Sequence, residues 1–269
     1  MKKYLLNLSL IVTLLAYSPT IAQAKTFTTL DTLDSTPINK ISDENYAVLE
    51  SEINAMSDKE FDDYITSFVS NQSDRTTAVN KLSKLGVELD FNTTNNDFSV
   101  SSISPSYLTL STYSAHRGQD TYYRLYESFT WNGYSESRPA TYDVLGIYFN
   151  KNKADYYGYN CSDSSKIWLK DSSQFLNGTI LFSVDDNQFN IFSDTYYAAV
   201  YVTPSVTGGS LVYGGKYVHT YNTTSTSTSG SASVSFSGTG VTGSIGFSVN
   251  TSTLEASWEK SDDNTILSW

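Results

Sequence analysis

Residues 122–131 read YYRLYESFTW, and the period of this run decides the fold class. Tyr122, Arg124 and Tyr126 alternate with Tyr123, Leu125, Glu127, Phe129 and Trp131. A period of two marks a strand, in which successive side chains point to opposite faces. Outward from it, 144–149 (VLGIYF) and 179–184 (TILFSV) are nearly all apolar, as expected of central strands covered on both faces. Runs at 188–193 and 196–203 continue the series, the second ending at Pro204, where a ladder hydrogen bond is lost. Asn132-Gly133, Asp185-Asp186-Asn187, Gly208-Gly209 and Gly214-Gly215 supply turn chemistry between the runs. Together these features predict a mainly β chain, with an antiparallel β-sandwich-like domain over 98–269. No fixed-period repeat is present, which argues against a propeller or solenoid.

The pattern changes on the N-terminal side. Segment 25–97 holds 14 of the 28 acidic residues against 6 basic ones, and its period is helical. Ser57-Asp58-Lys59-Glu60 is a capping box, in which the serine hydroxyl and the glutamate each satisfy an orphan amide of the other. Phe61, Tyr64, Ile65 and Phe68 follow at helical spacing as one apolar stripe. A second helix is predicted over 75–85, with Ala78, Leu82 and Leu85 inward. Gly86 stands in its C-cap position, and Val87 is placed to fold back on the last turn. A third, over 43–56, has Tyr46, Leu49 and Ile53 as its stripe. Short amphipathic helices are marginal alone in water, so these are expected to pack on the β domain. The acidity and the Asn-rich joint FNTTNNDFS (91–99) support a second reading, a pro-segment or docking region.

Met1-Lys2-Lys3, the apolar run 4–17 and Ala22-Gln23-Ala24 make a signal peptide over 1–24, cleaved after Ala24. The expected product is a soluble secreted protein. Without Lys2 and Lys3 the chain has 15 basic and 28 acidic residues, a net charge near −13. That charge opposes nucleic acid, whose phosphates require basic residues, so no nucleic-acid partner is expected. The one cysteine, Cys161, rules out an internal disulfide, and about 245 mature residues can bury a core without one. A Lys-, Asn-, Ser- and Tyr-rich exported chain without disulfides fits a Gram-positive bacterium.

Catalytic and metal chemistry find little support. Cys161 could act as a nucleophile only with a base such as His116 or His219, and its YNCSDSS surroundings (159–165) offer no activating helix terminus. Two histidines and one cysteine scattered along the chain do not make a zinc set. Asp185-Asp186-Asn187 and Asp262-Asp263-Asn264 cluster hard oxygens suited to calcium, but lack EF-hand spacing and equally suit turns. Glu127, Glu136 and Asp143 could pair for sugar hydrolysis, and the Tyr- and Trp-rich stretch around them suits sugar stacking. The reading favours no enzyme, no cofactor, no metal and no catalytic residue.

One feature stands apart. From His219 to Glu255 no charged side chain intervenes. Within 224–252, Ala232, Val234 and Phe236 share one face, and Val241, Ile245, Phe247 and Val249 share another, across a Gly238-Thr239-Gly240 loop. The second arm, 241–250, has the length of a tilted membrane strand, about 9–11 residues. The main expectation is a soluble hairpin in a non-enzymatic secreted protein that binds an extracellular partner, whether protein, glycan or membrane. The alternatives are a β-pore-forming toxin that inserts this hairpin through those seven residues, and a carbohydrate-binding protein.

Overall fold

The computed structural model describes residues 30–33, 40–72, 74–91, 107–132, 140, 142–171, 175–186, 194–222, 233–236, 247–251 and 255–269. The signal peptide, the strand expected at 188–193, Glu136, Ala232, Val241 and Ile245 lie outside the described residues. Four helices come first: α1 (Leu30–Leu33), α2 (Asp43–Ala55), α3 (Asp58–Asn71) and α4 (Arg75–Ser83). The strands are β1 (Val87–Phe91), β2 (Leu108–Arg117), β3 (Tyr123–Trp131), β4 (Asp143–Phe149), β5 (Ala154–Cys161), β6 (Ile167–Asp171), β7 (Thr179–Val184), β8 (Thr195–Pro204), β9 (Ser210–Asn222), β10 (Ser233–Phe236), β11 (Phe247–Asn250) and β12 (Glu255–Ser268).

Two five-stranded antiparallel sheets form the sandwich. The first runs β1-β2-β3-β8-β5 and the second β12-β9-β4-β7-β6. The alternating run 122–131 contains β3, the central strand of the first sheet, whose two faces serve two cores. Leu125, Phe129 and Trp131 join Leu145, Ile147, Phe182 and Tyr217 between the sheets. Tyr126, with Tyr113 and Tyr201 of the neighbouring strands, turns the other way and meets Phe61, Ile65 and Phe68 of α3. The helices therefore form a third layer on the outer face of the first sheet.

Local chemistry accounts for this layer. The capping box forms, with Ser57 N–H donating to Glu60 Oε2 at 2.9 Å. Phe61, Ile65 and Phe68 are buried along α3, as are Tyr46, Leu49 and Ile53 along α2. Each such side chain contributes about 1.5–3 kcal/mol when fully buried. Gly86 takes the left-handed conformation, at φ 69°. Beyond it Val87 is buried in the same core as Leu82 and Leu85 at the helix end, and the chain continues as a strand. Val87, Leu89 and Phe91 alternate with Glu88 and Asp90, and the segment pairs as β1 from Val87↔Arg117 to Phe91↔Tyr113.

Two predicted turns are strand interiors instead. Gly214 and Gly215 lie within β9, where a Cβ would sit 2.6 Å from Tyr148 Oη and 1.5 Å from Glu127 Oε2 respectively. The glycines make room for a buried ring and a buried carboxylate; they do not turn the chain. Asp262 lies in β12 at a bulge, and its Oδ2 accepts from the Thr112 amide of the opposite sheet at 2.9 Å. Gly208, at φ 66°, does turn the chain between β8 and β9. The uncharged hairpin also pairs, with Val234 opposite Val249 and Phe236 opposite Phe247. Val249 packs against Val144, Leu181 and Val218, on the second sheet's outward side.

Helices and sheet are joined around a cluster of buried charges. Arg124, on β3, is fully buried; its Nε lies 3.1 Å from Asp62, Nη2 2.8 Å from Asp58 and Nη1 2.5 Å from Asp120. The guanidinium stacks on Phe61 and Tyr122 at 4.6 and 4.8 Å. Asp62, also buried, accepts from Tyr126 and Tyr201, each at 2.5 Å, and from Asn160 at 2.8 Å. Burial pushes Asp62 above the ordinary carboxylate value, against Arg124 and those three donors, which favour its charged form. Arg117 donates to the carbonyls of Ile53 and Met56, tying the end of α2 to the same corner.

These contacts set two expectations for urea titrations. Gly215→Ala lowers stability by about 1–3 kcal/mol through overpacking against Glu127. Gly209→Ala, whose Cβ meets nothing closer than 3.8 Å, leaves it unchanged; equal midpoints for the two would refute the packing. Tyr201→Phe costs about 1.5–3 kcal/mol, the worth of a hydrogen bond to a charged group. Arg124→Leu costs about 3–5 kcal/mol, because it strands buried carboxylates. Wild-type midpoints for both variants would show that the contacts of Arg124 and Asp62 do not hold the helices to the sheet.

Candidate functional site

Beside its apolar stripe, α3 carries a polar one. Asp63, Thr66, Ser67, Ser70 and Asn71 recur at helical spacing and form one wall of a groove of about 550 Å3. The other wall comes from the first sheet and its flanks: Thr109 on β2, Thr130 and Asn132 at the end of β3, and Asp194, Thr195 and Tyr197 at the start of β8. A second hollow of about 240 Å3 shares Ser70, Thr109, Thr130 and Thr195, and adds Arg75 and Phe91. Arg75 lies over the Phe91 ring at 5.1 Å.

The lining is held in place by its own hydrogen bonds. Tyr197 Oη donates to Asp63 at 2.7 Å, Asn132 donates to Thr109 at 2.7 Å, and the hydroxyls of Thr130 and Thr195 meet at 2.8 Å. Tyr113 donates to Thr66 at 3.0 Å from below. Burial, with Asp62 and Asp63 nearby, holds the Tyr197 hydroxyl far above its usual value, so it remains a donor. Hydroxyls keep spare donor or acceptor capacity after one bond. The groove can thus grip a ligand that both gives and takes hydrogen bonds, and its two aspartates disfavour an anion. Sequence reasoning missed it. The signal was present in ITSFVSN (65–71), whose Thr66, Ser67, Ser70 and Asn71 repeat at helical spacing on a different face from Ile65 and Phe68.

The residues weighed for catalysis are engaged elsewhere. Glu127 and Asp143 are both buried between the sheets, where Glu127 accepts from the Thr112 hydroxyl. Burial pushes the Cys161 thiol up, and Sγ donates to the Ile167 carbonyl at 3.0 Å. His116, on β2, stacks on Tyr123 at 4.2 Å and contacts the Asp120 carbonyl. Of the two calcium candidates, Asp262 staples the sheets. Asp186 instead meets Asp143 and His219.

That last grouping draws on three adjacent strands: Asp143 begins β4, Asp186 follows β7, and His219 lies in β9. His219 Nδ1 is 2.9 Å from Asp143 Oδ2 and 3.6 Å from Asp186 Oδ2. Asp143 also accepts from Tyr217 Oη at 2.6 Å and from the Thr220 amide at 2.7 Å. Trp131 and Trp258 flank the imidazole, with ring centroids 5.3 and 5.1 Å away. Among the described residues this is the set of three His, Cys, Asp or Glu side chains close enough together to share a metal ion. Strand parity could have found it. Asp143 continues Leu145 and Ile147, Asp186 continues Phe182 and Val184, and His219 continues Tyr213 and Tyr217, all facing the inter-sheet core.

No family model and no curated protein matches the chain. Among solved structures it is similar to the sixth cohesin of Acetivibrio cellulolyticus scaffoldin B, in complex with a Cel5 dockerin. That match has 9% identity and a TM-score of 0.26, over 36% of this chain and 75% of the other. A cohesin module from a Clostridium perfringens family 33 glycoside hydrolase matches at 11% identity and 0.26, over 35% and 70%. Domains D2 and D3 of the major pilin SpaD from Corynebacterium diphtheriae match at 12% and 0.29, over 51% and 46%. Likeness at this level carries no inference about function.

Proposed function

We propose that the chain is a secreted, non-enzymatic binding protein of the cell exterior, and that it takes a neutral, hydroxyl-rich ligand, a glycan segment, in the groove between α3 and the first sheet. The observation that carries this reading is the groove's lining. Two walls of hydroxyl and amide groups, from a helix and from strand ends, are fixed by mutual hydrogen bonds before any ligand arrives. Such preorganisation lowers the ordering cost of binding. The acidity of the chain favours neutral over anionic ligands. Because α3 supplies one wall, segment 25–97 stays with the β domain after cleavage of the signal at Ala24.

A second reading, insertion of hairpin 224–252 into a membrane, rests on its lack of charge. Insertion would have to lift Val249 from its seat on Val144, Leu181 and Val218.

A glycan array followed by calorimetry on the mature chain separates the readings. Binding of neutral oligosaccharides is expected, weakened about tenfold by Asn71→Ala or Asp194→Ala, the loss of roughly one hydrogen bond each. Both residues are exposed, so the fold should survive. No glycan bound, or binding unchanged in both variants, overturns the groove as the site. Release of dye from liposomes by the same protein would favour the hairpin.

A further inference from the structure

We propose that Asp143, Asp186 and His219 form a binding site for a divalent transition ion of the zinc class, separate from the groove. The three residues are almost wholly removed from solvent, with side-chain exposures of 1%, 5% and 0%. Their candidate ligand atoms lie within 4.8 Å of one another. A tetrahedral ion with bonds of about 2.0–2.1 Å needs donors about 3.4 Å apart. The two imidazole-to-carboxylate distances, 2.9 and 3.6 Å, bracket that value.

Charge points the same way. Two carboxylates in an apolar interior are costly unless a positive charge accompanies them. A divalent ion balances both and lets His219 bind as the neutral imidazole, with its remaining proton on Nε2. Asp143 is already aimed by Tyr217 and the Thr220 amide, the kind of outer contact that orients a ligating carboxylate. An independent observation lies beside the imidazole. Trp258 is 5% exposed, its ring is 5.1 Å from His219, and its Nε1 has no hydrogen-bond partner among the described residues. A buried indole donor calls for an oxygen, and water on the ion's fourth position supplies one. One nitrogen and two carboxylate oxygens suit zinc, cobalt or manganese, whereas calcium takes six to eight oxygens.

The test uses the mature chain, stripped with a chelator and dialysed against Zn2+ or Co2+, with bound metal measured by elemental analysis. One ion per chain is expected. Because Trp131 and Trp258 flank His219, Co2+ should quench tryptophan emission at the same stoichiometry, and Zn2+ should reverse the quenching. Asp186→Asn, a change of one ligand on a nearly isosteric side chain, is expected to weaken binding at least about tenfold, with the circular dichroism spectrum unchanged. Should that variant fail to fold, competition of Zn2+ against bound Co2+ in the wild type, read by emission, decides alone. No retained ion, stoichiometric binding without quenching, or equal affinity in a folded Asp186→Asn protein overturns the proposal.

Discussion

The structure depends on a guanidinium with no access to water. Arg124 sits between helix α3 and the first sheet with carboxylates from Asp58, Asp62 and Asp120 around it and the rings of Phe61 and Tyr122 on its faces. Burying such a charge is unfavourable unless every partner is in place, so the arrangement tolerates little slippage of the helix. Asp62 makes the constraint reciprocal, since its donors come from β3, β5 and β8 at once. The neighbouring Asp120 is held below its usual value: Arg117 and Arg124 outweigh the burial that would raise it. The network gives α3 one position, and that position creates the polar groove beside it.

A similar economy operates between the sheets. Most of that space is filled by aliphatic and aromatic side chains, but two polar groups of residues interrupt it. Glu127 is accommodated by Gly215 and bonded by the Thr112 hydroxyl, while the Thr112 amide binds Asp262 of the opposite sheet. Nearer one end, Asp143, Asp186 and His219 gather under two indoles. Buried polar groups of this kind fix the alignment of facing layers, because a slipped register would leave them without their partners. They also concentrate ligating chemistry at strand ends.

Much of the architecture was legible because it is written in periodicity. The alternation of 122–131 gave a strand with two different faces, and the Ser57 to Glu60 capping box with the stripe behind it gave α3. The errors came where one residue type serves two purposes. Gly214 and Gly215 suit a turn, yet they stand where a buried ring and carboxylate leave no space for a Cβ. Asp262 suits a turn as well, yet serves as a staple across the sandwich. The helical pattern before Gly86 obscured the alternation of Val87, Leu89 and Phe91 just beyond it. The groove and the Asp143, Asp186 and His219 cluster escaped because each is assembled from elements far apart in sequence. Parity shows that a side chain faces inward, but not which distant side chain it meets.

The central claim is that the helical layer and the first sheet are one cooperative unit held by the buried Arg124 and Asp62. Native-state hydrogen exchange on the mature chain tests this most directly. The account predicts that amides of α3 around Phe61 to Phe68 exchange only with global unfolding, at the same free energy as amides of β3 and β8. Protection of α3 about 100-fold or more below that of β3, with the sheet still closed, would mean that the helices open by themselves and would contradict the claim.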